Sequence, residues 1–194
     1  MVRSKGGLPY AIKVLQRFIY EVGRTYGILQ SDGENPITSL CRKVATGIGG
    51  LAVRKTPAYS SETMAVIGRL QSMFYGQVRV LKLHIESKYE LKSKLEVTHP
   101  IIPWVILHAS WLLNRYQVHT DGLTSFQRRW NKVFNGGLCC LGECVSWRQP
   151  GKHYAKMDAA WHTGLWLGKD TISGENYVSN SNGSVLRTRS VSRL

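Results

Sequence analysis

Carboxylates are scarce in this 194-residue chain, with 12 Asp and Glu set against 26 Lys and Arg. Before residue 62 there are three: Glu21, Asp32 and Glu34. Asp32 is the one whose place suggests chemistry. It follows the short run Gly27-Ile28-Leu29-Gln30 and sits inside Ser31-Asp32-Gly33, residue types that favour a turn. Ligands of open α/β sheets gather at the carboxyl ends of strands, and a carboxylate there can hold a divalent cation. The simpler reading is that Asp32 shapes its own turn, and residue types leave both open.

Other reactive residue types show no catalytic spacing. The histidines, at 84, 99, 108, 119, 153 and 162, form neither HxxxH nor HExxH. His108 lies between Trp104 and Trp111 on an apolar segment and is expected to be a satisfied core residue. The cysteines are Cys41, Cys139, Cys140 and Cys144. They are too few and too clustered for a disulfide framework. Cys139-Cys140-x3-Cys144 lacks the CxxC or HxxxH partner of a zinc site, so packing cysteines in a reducing compartment are expected. Gly47, Gly49 and Gly50 end a helical pattern and do not begin one, which argues against a phosphate-cradling loop. No run of about 18 apolar residues is present, so no membrane span is expected. The opening MVRSKGGLPY leads into no apolar segment, so no secretory leader is expected. An intracellular place, nuclear or cytoplasmic, follows from these expectations.

The formal net charge is +14. Such an excess predicts attraction to a polyanion and says nothing about fold.

The elements that must position these groups read as follows. Residues 9–24 form an amphipathic helix with Ala11, Val14, Leu15, Phe18, Ile19 and Val22 as its apolar stripe. A short strand over 27–30, a helix over 35–46 and a strand over 51–55 follow, which is α/β order. A long helix spans 62–91, with Ser61 as its cap and Ile67, Leu70, Phe74, Val78, Leu81 and Ile85 as its stripe. Another spans 101–116, and a shorter one, 124–133, is capped by Thr124. Beyond Asn135, Val145/Trp147, Leu165/Leu167, Tyr177/Val178 and Val185/Leu186 mark four or five short strands. Turn signals at Gln149-Pro150-Gly151, Ser173-Gly174 and Asn182-Gly183 separate them. A boundary near 135 divides the chain into domains 1–134 and 135–194, the second a small barrel-like one.

An ordered series of motifs resembles copia-type retrotransposon integrases. Leu29-Gln30-Ser31-Asp32-Gly33-Glu34 is similar to the strand and turn that carry their second catalytic aspartate. Pro57-Ala58-Tyr59-Ser60-Ser61-Glu62-Thr63-Met64 is similar to the loop entering their catalytic helix. Gly76-Gln77-Val78-Arg79, Trp104 to Arg115, and Asp121-Gly122-Leu123-Thr124-Ser125-Phe126-Gln127-Arg128 are similar to later helices. Gly164-Leu165-Trp166-Leu167-Gly168 and Val185 to Arg193 are similar to the segment after the core. The resemblance covers nearly the whole chain. It implies an RNase H-like integrase core, truncated here, followed by a small β-rich domain. It also implies DNA integration by three carboxylates holding two Mg2+ or Mn2+ ions, which activate the attacking oxygen and stabilise the leaving one.

Two departures from that pattern matter. The family's third carboxylate, a glutamate, would stand with 35 residues between it and Asp32, and that position holds Gly68. The first aspartate belongs on a strand before residue 9, and no such strand is expected in this chain. Asp32 remains as the family-equivalent catalytic and metal carboxylate, expected to be vestigial, with Glu34 and Glu62 as poor substitutes. A productive metal pair is therefore not expected. Without the family's first strands, two parallel strands and their helices would have open edges. Nucleic-acid contact is expected instead at Arg69, Gln71, Gln77, Arg79 and Lys82 on the long helix, and at Arg148 and Lys152 beyond it. These would be sequence-independent phosphate contacts. Trp147, Trp161 and Trp166 could stack on bases, though core positions suit them better. The expected role is a degenerate integrase segment that binds DNA non-specifically. The alternatives are an active metal-dependent integrase or nuclease completed by upstream residues, and a non-enzymatic interaction module that pairs with a partner or a second copy.

Overall fold

A computed structural model describes residues 8–57, 61–151 and 157–194, and for 61–64 it describes the backbone alone. Among the described residues the order is α1 (Pro9–Val22), β1 (Gly27–Ser31), α2 (Asn35–Ile48), β2 (Leu51–Lys55), α3 (Ser61–Lys88), α4 (Ile102–Tyr116), α5 (Ser125–Trp130), β3 (Cys144–Arg148), β4 (Trp161–Lys169), β5 (Asn176–Ser179), β6 (Val185–Thr188) and β7 (Val191–Arg193). The fold is α/β and ends in a small β-rich region. It divides into two compact units within α3, Met1–Gln71 and Ser72–Leu194. The expected boundary near 135 falls inside the second unit, where α4 packs across β4.

In the first unit β1 and β2 run parallel, from Gly27 against Leu51 to Ser31 against Lys55. Parallel neighbours need a crossover, and α2 supplies it, burying Thr38, Cys41, Val44 and Ala45. Pro9 opens α1, where a missing N–H costs nothing. The apolar stripe expected to bury α1 does so only at Ile19. Val14 and Phe18 stay 49% and 57% exposed. α1 packs chiefly against α2, so the rest of its stripe stays open.

In the second unit, the part of α3 from Ser72 onward buries Leu81 and Ile85 against Leu95, Ile102, Val105, Ala109 and Leu141. The helix ends at Lys88 and not 91, because Glu90 takes a left-handed φ of 46°. It also includes Ser61, the expected cap. Thr124 caps α5 as expected. Its hydroxyl accepts the Gln127 N–H at 3.1 Å, and the Gln127 side chain accepts the Thr124 N–H at 2.8 Å. The helix stops at Trp130 because Asn131 is left-handed.

The five strands pair antiparallel in the order β6-β5-β4-β3-β7. The two edge strands, β6 and β7, are joined by Arg189 and Ser190 alone. A sheet whose outer strands are so linked must curl toward closure. The Thr188 hydroxyl donates to the Arg148 carbonyl at 2.7 Å, and the Arg148 N–H donates to the Ser190 carbonyl at 3.2 Å, across that closure. Val145, Trp147, Trp166 and Val178 fill the interior. Gly164 lets β5 approach, since a Cβ there would stand 2.1 Å from the Ser179 carbonyl oxygen. A register shift between Trp166 and Gly168 marks a bulge in β4. There Trp166 enters the core with Val145, Trp147 and Val178, and the buried Leu167 lies in a cleft against α4.

Candidate functional site

Asp32 stands just beyond the carboxyl end of β1, exposed. Its Oδ1 accepts the Glu34 N–H at 3.2 Å. This is the turn that the residue types favour, with the side chain standing in for a backbone carbonyl. The side chains of Ser31 and Thr38 are buried, and the Ser31 hydroxyl lies at the Cys41 thiol. Burial pushes the Cys41 thiol up, and the Asp32 charge pushes the same way, outweighing the Ser31 hydroxyl. A raised, buried thiol is no nucleophile.

Gly68 lies on α3 in open space; a Cβ there meets nothing within 4 Å. The position could carry a side chain, but it supplies no oxygen. The side chain of Glu62 lies outside the described residues. Among those described, no three His, Cys, Asp or Glu side chains gather where one cation could reach them. A two-metal centre needs carboxylate oxygens converging from several elements, and among the described residues no such group forms around Asp32.

The cationic candidates spread over different faces. In the first unit Arg69 and Gln71 are both exposed, and two residues of α-helix place them about 200° apart. In the second unit Arg79 is exposed, and Lys82 follows it about 60° round the helix. The Lys82 ammonium lies 3.4 Å from Glu86. Gln77, part-buried, lies about 140° or more from both. Arg148 is exposed at the end of β3. Lys152 lies outside the described residues. Of the tryptophans weighed for stacking, Trp147 and Trp166 are core residues, whereas Trp161 is 49% exposed.

His108 departs from the expectation of a satisfied core residue. It is buried, but its Nδ1 has no hydrogen-bond partner. Burial drives its pKa down to about 4, so the ring is neutral near pH 7. It belongs to a stripe on α4 at positions 104, 108, 111 and 115, steps of four, three and four. That stripe holds Trp104, His108, Trp111 and Arg115. The spacing is legible in the sequence; what it faces is not.

No protein-family model matches the chain, and no curated protein matches it. Among solved structures, it is similar to a chain in the cryo-EM structure of the simian T-cell lymphotropic virus intasome in complex with PP2A regulatory subunit B56 gamma. The identity is 14% and the TM-score 0.46, over 99% of this chain and 66% of that one. The chain thus spans a little less than two thirds of the length of the chain it matches.

Proposed function

We propose that this chain is a degenerate, copia-type integrase segment that holds nucleic acid through its phosphates and does not transfer strands. The charge balance carries the binding half. If every one of the 12 carboxylates neutralised a cation, 14 of the 26 Lys and Arg would remain. Such cations serve phosphates without reading bases. The turn-forming Asp32 and the open Gly68 position support the inactive half, and the ordered series of integrase-like motifs supports the resemblance. Mg2+ or Mn2+ would find one carboxylate where that chemistry uses three.

Duplex binding measured against salt tests this reading. The logarithm of affinity should fall linearly with the logarithm of salt, and Arg79→Ala should flatten the slope by about one. No strand transfer is expected with either metal, for the parent chain or for Gly68→Glu. Binding that ignores salt overturns the first half. Metal-dependent transfer that Asp32→Ala abolishes overturns the second.

The exposed apolar face of α1 favours a second reading, an interaction module. Val14 and Phe18 lie open where a partner or a second copy could cover them. Self-association at micromolar concentration, with no salt-dependent DNA binding, would select it.

A further inference from the structure

The two faces of the five-stranded sheet carry different chemistry. Val145 and Trp147 of β3 face the core with Trp166 and Val178. Residues two apart share one face of a strand, so Ser146 and Arg148 belong to the other. Register places Trp161 of β4 directly across from Arg148, and Thr163 across from Ser146. On its other side Ser146 stands across from Ser192 of β7. Arg148 and Trp161 therefore lie beside a row of three hydroxyls, Ser192, Ser146 and Thr163, on three adjacent strands. Arg148, Trp161, Thr163 and Ser192 are exposed. Residues directly opposite in an antiparallel pair hold their Cβ atoms about 5 Å apart, close enough for one nucleotide to reach both Arg148 and Trp161.

Trp161 is half exposed, whereas the sheet's other tryptophans, Trp147 and Trp166, are buried. An indole left open forfeits apolar burial that a stacked ring would recover. The charge around it has one sign. Strands β3 to β7 hold Arg148, Lys169, Arg187 and Arg193, and no Asp or Glu. Carboxylates stand outside the strands. Glu143 and Glu175 are paired with Arg193 and Arg189. Asp170 is held by Tyr177 and Ser173. Asp158 precedes β4 by three residues. The strand face thus presents an aromatic ring, a guanidinium and hydroxyls, a set that complements a polyanion carrying flat bases.

We propose that this face holds single-stranded nucleic acid, with a base stacked on Trp161 and the adjoining phosphate at Arg148. The proposal rests on the nucleic-acid reading above and narrows it to a strand whose bases are unpaired. A duplex keeps its bases stacked on one another. It offers phosphates to Arg148 and no base face to Trp161. Stacking accepts every base, so the site reads strandedness and not sequence.

The test is titration of the whole chain with a short oligothymidylate, read by tryptophan emission and by anisotropy of a labelled strand. Binding should saturate and quench the emission. An abasic strand of equal length keeps the phosphates and should bind about tenfold more weakly. That arm needs no variant. Trp161→Ala should weaken oligothymidylate about tenfold and leave the abasic strand and the duplex unchanged. Trp161→Phe should bring the affinity back to within about threefold, since a phenyl ring also stacks. Arg148→Gln should weaken both strands and flatten the single-strand salt slope by about 0.7. Oligouridylate distinguishes the sugars: tighter binding than oligothymidylate marks the strand as RNA, and equal or weaker binding marks it as DNA. An abasic strand that binds as tightly as oligothymidylate overturns the proposal, as does an affinity unmoved by Trp161→Ala. Self-association that Trp161→Ala abolishes, with no strand binding, would make the face a protein contact and overturn it too. Salt-dependent duplex binding and its Arg79 dependence are measured separately. If they hold while the abasic strand matches oligothymidylate, the stacking site alone fails; if they do not hold, the broader reading fails by its own test.

Discussion

One buried amide holds three strands of the five-stranded sheet together, and removing it should be measurable. Asn176 is 9% exposed at the start of β5, in register with Lys169 of β4 and Thr188 of β6. Its Oδ1 accepts the Trp166 indole N–H at 3.0 Å. Its Nδ2 donates to the carbonyls of Thr188 and Arg189, each at 3.4 Å. Asn176→Ala strands the indole N–H inside a fully buried ring, at a cost of about 1–3 kcal/mol. The two long bonds are weak and together add roughly 0.5 kcal/mol. The expected loss is about 1.5–3.5 kcal/mol, or roughly 3–14 °C in melting temperature for a chain of this size.

The assay is a urea or thermal melt followed by tryptophan emission. All six tryptophans lie beyond residue 71, so the signal reads the unit Ser72–Leu194 alone. A double-mutant cycle isolates the bond. Trp166→Phe should cost less in the Asn176→Ala background than in the parent, by about 1 kcal/mol, since the indole has already lost its acceptor. A loss under about 0.5 kcal/mol for Asn176→Ala, or two changes that simply add, would refute the reasoning. The same amide faces Lys169 across the β4–β5 pair, so it also fixes the strand end that lines the cleft.

Two pH effects follow from the same region. His108 titrates near 4 when folded and near 6.5 when unfolded, because burial disfavours its charge. The unfolded chain binds the proton first, so stability is fully present above pH 6.5 and is lost as pH falls toward 4, by about 3 kcal/mol. His108→Leu should remove that slope from the tryptophan melt, and an unchanged slope would exclude the imidazole as its source. For Asp170, burial raises the pKa, but hydrogen bonds from Ser173, Tyr177 and Ile172 outweigh it and bring the value to about 2, from 3.8. Its contribution is complete above 3.8 and disappears as pH falls through about 2. Asp170→Asn should flatten that lower limb, and acid melts that superimpose on the parent would contradict the hydrogen-bonded turn.

Much of the local structure was legible because it rests on near neighbours in sequence. The strand at Gly27 and the crossover helix at Asn35 follow from periodicity and punctuation, which act within a few residues. Thr124 and Gln127 form their capping box without help from the rest of the chain. The turn at Asp32 was legible in the same way, as Ser-Asp-Gly chemistry. Helix ends were read less well. Glu90 and Asn131 take left-handed conformations that no glycine announces.

Residue types and spacing alone determined the charge excess, the α/β order with its β-rich end, the scarcity of carboxylates and the glycine at position 68. These are properties of composition and short-range pattern, and folding does not alter them. Only the tertiary structure decided that α1 leaves Val14 and Phe18 open, because burial depends on which element packs opposite each side chain. It alone decided that Trp147 and Trp166 are core while Trp161 is half exposed, since inward and outward faces are set by the way the sheet curls. It also decided that His108 lines a cleft with Lys169, and that Arg115 donates to the Thr171 carbonyl. Both meetings join residues more than fifty positions apart, and no local pattern specifies a partner at that distance.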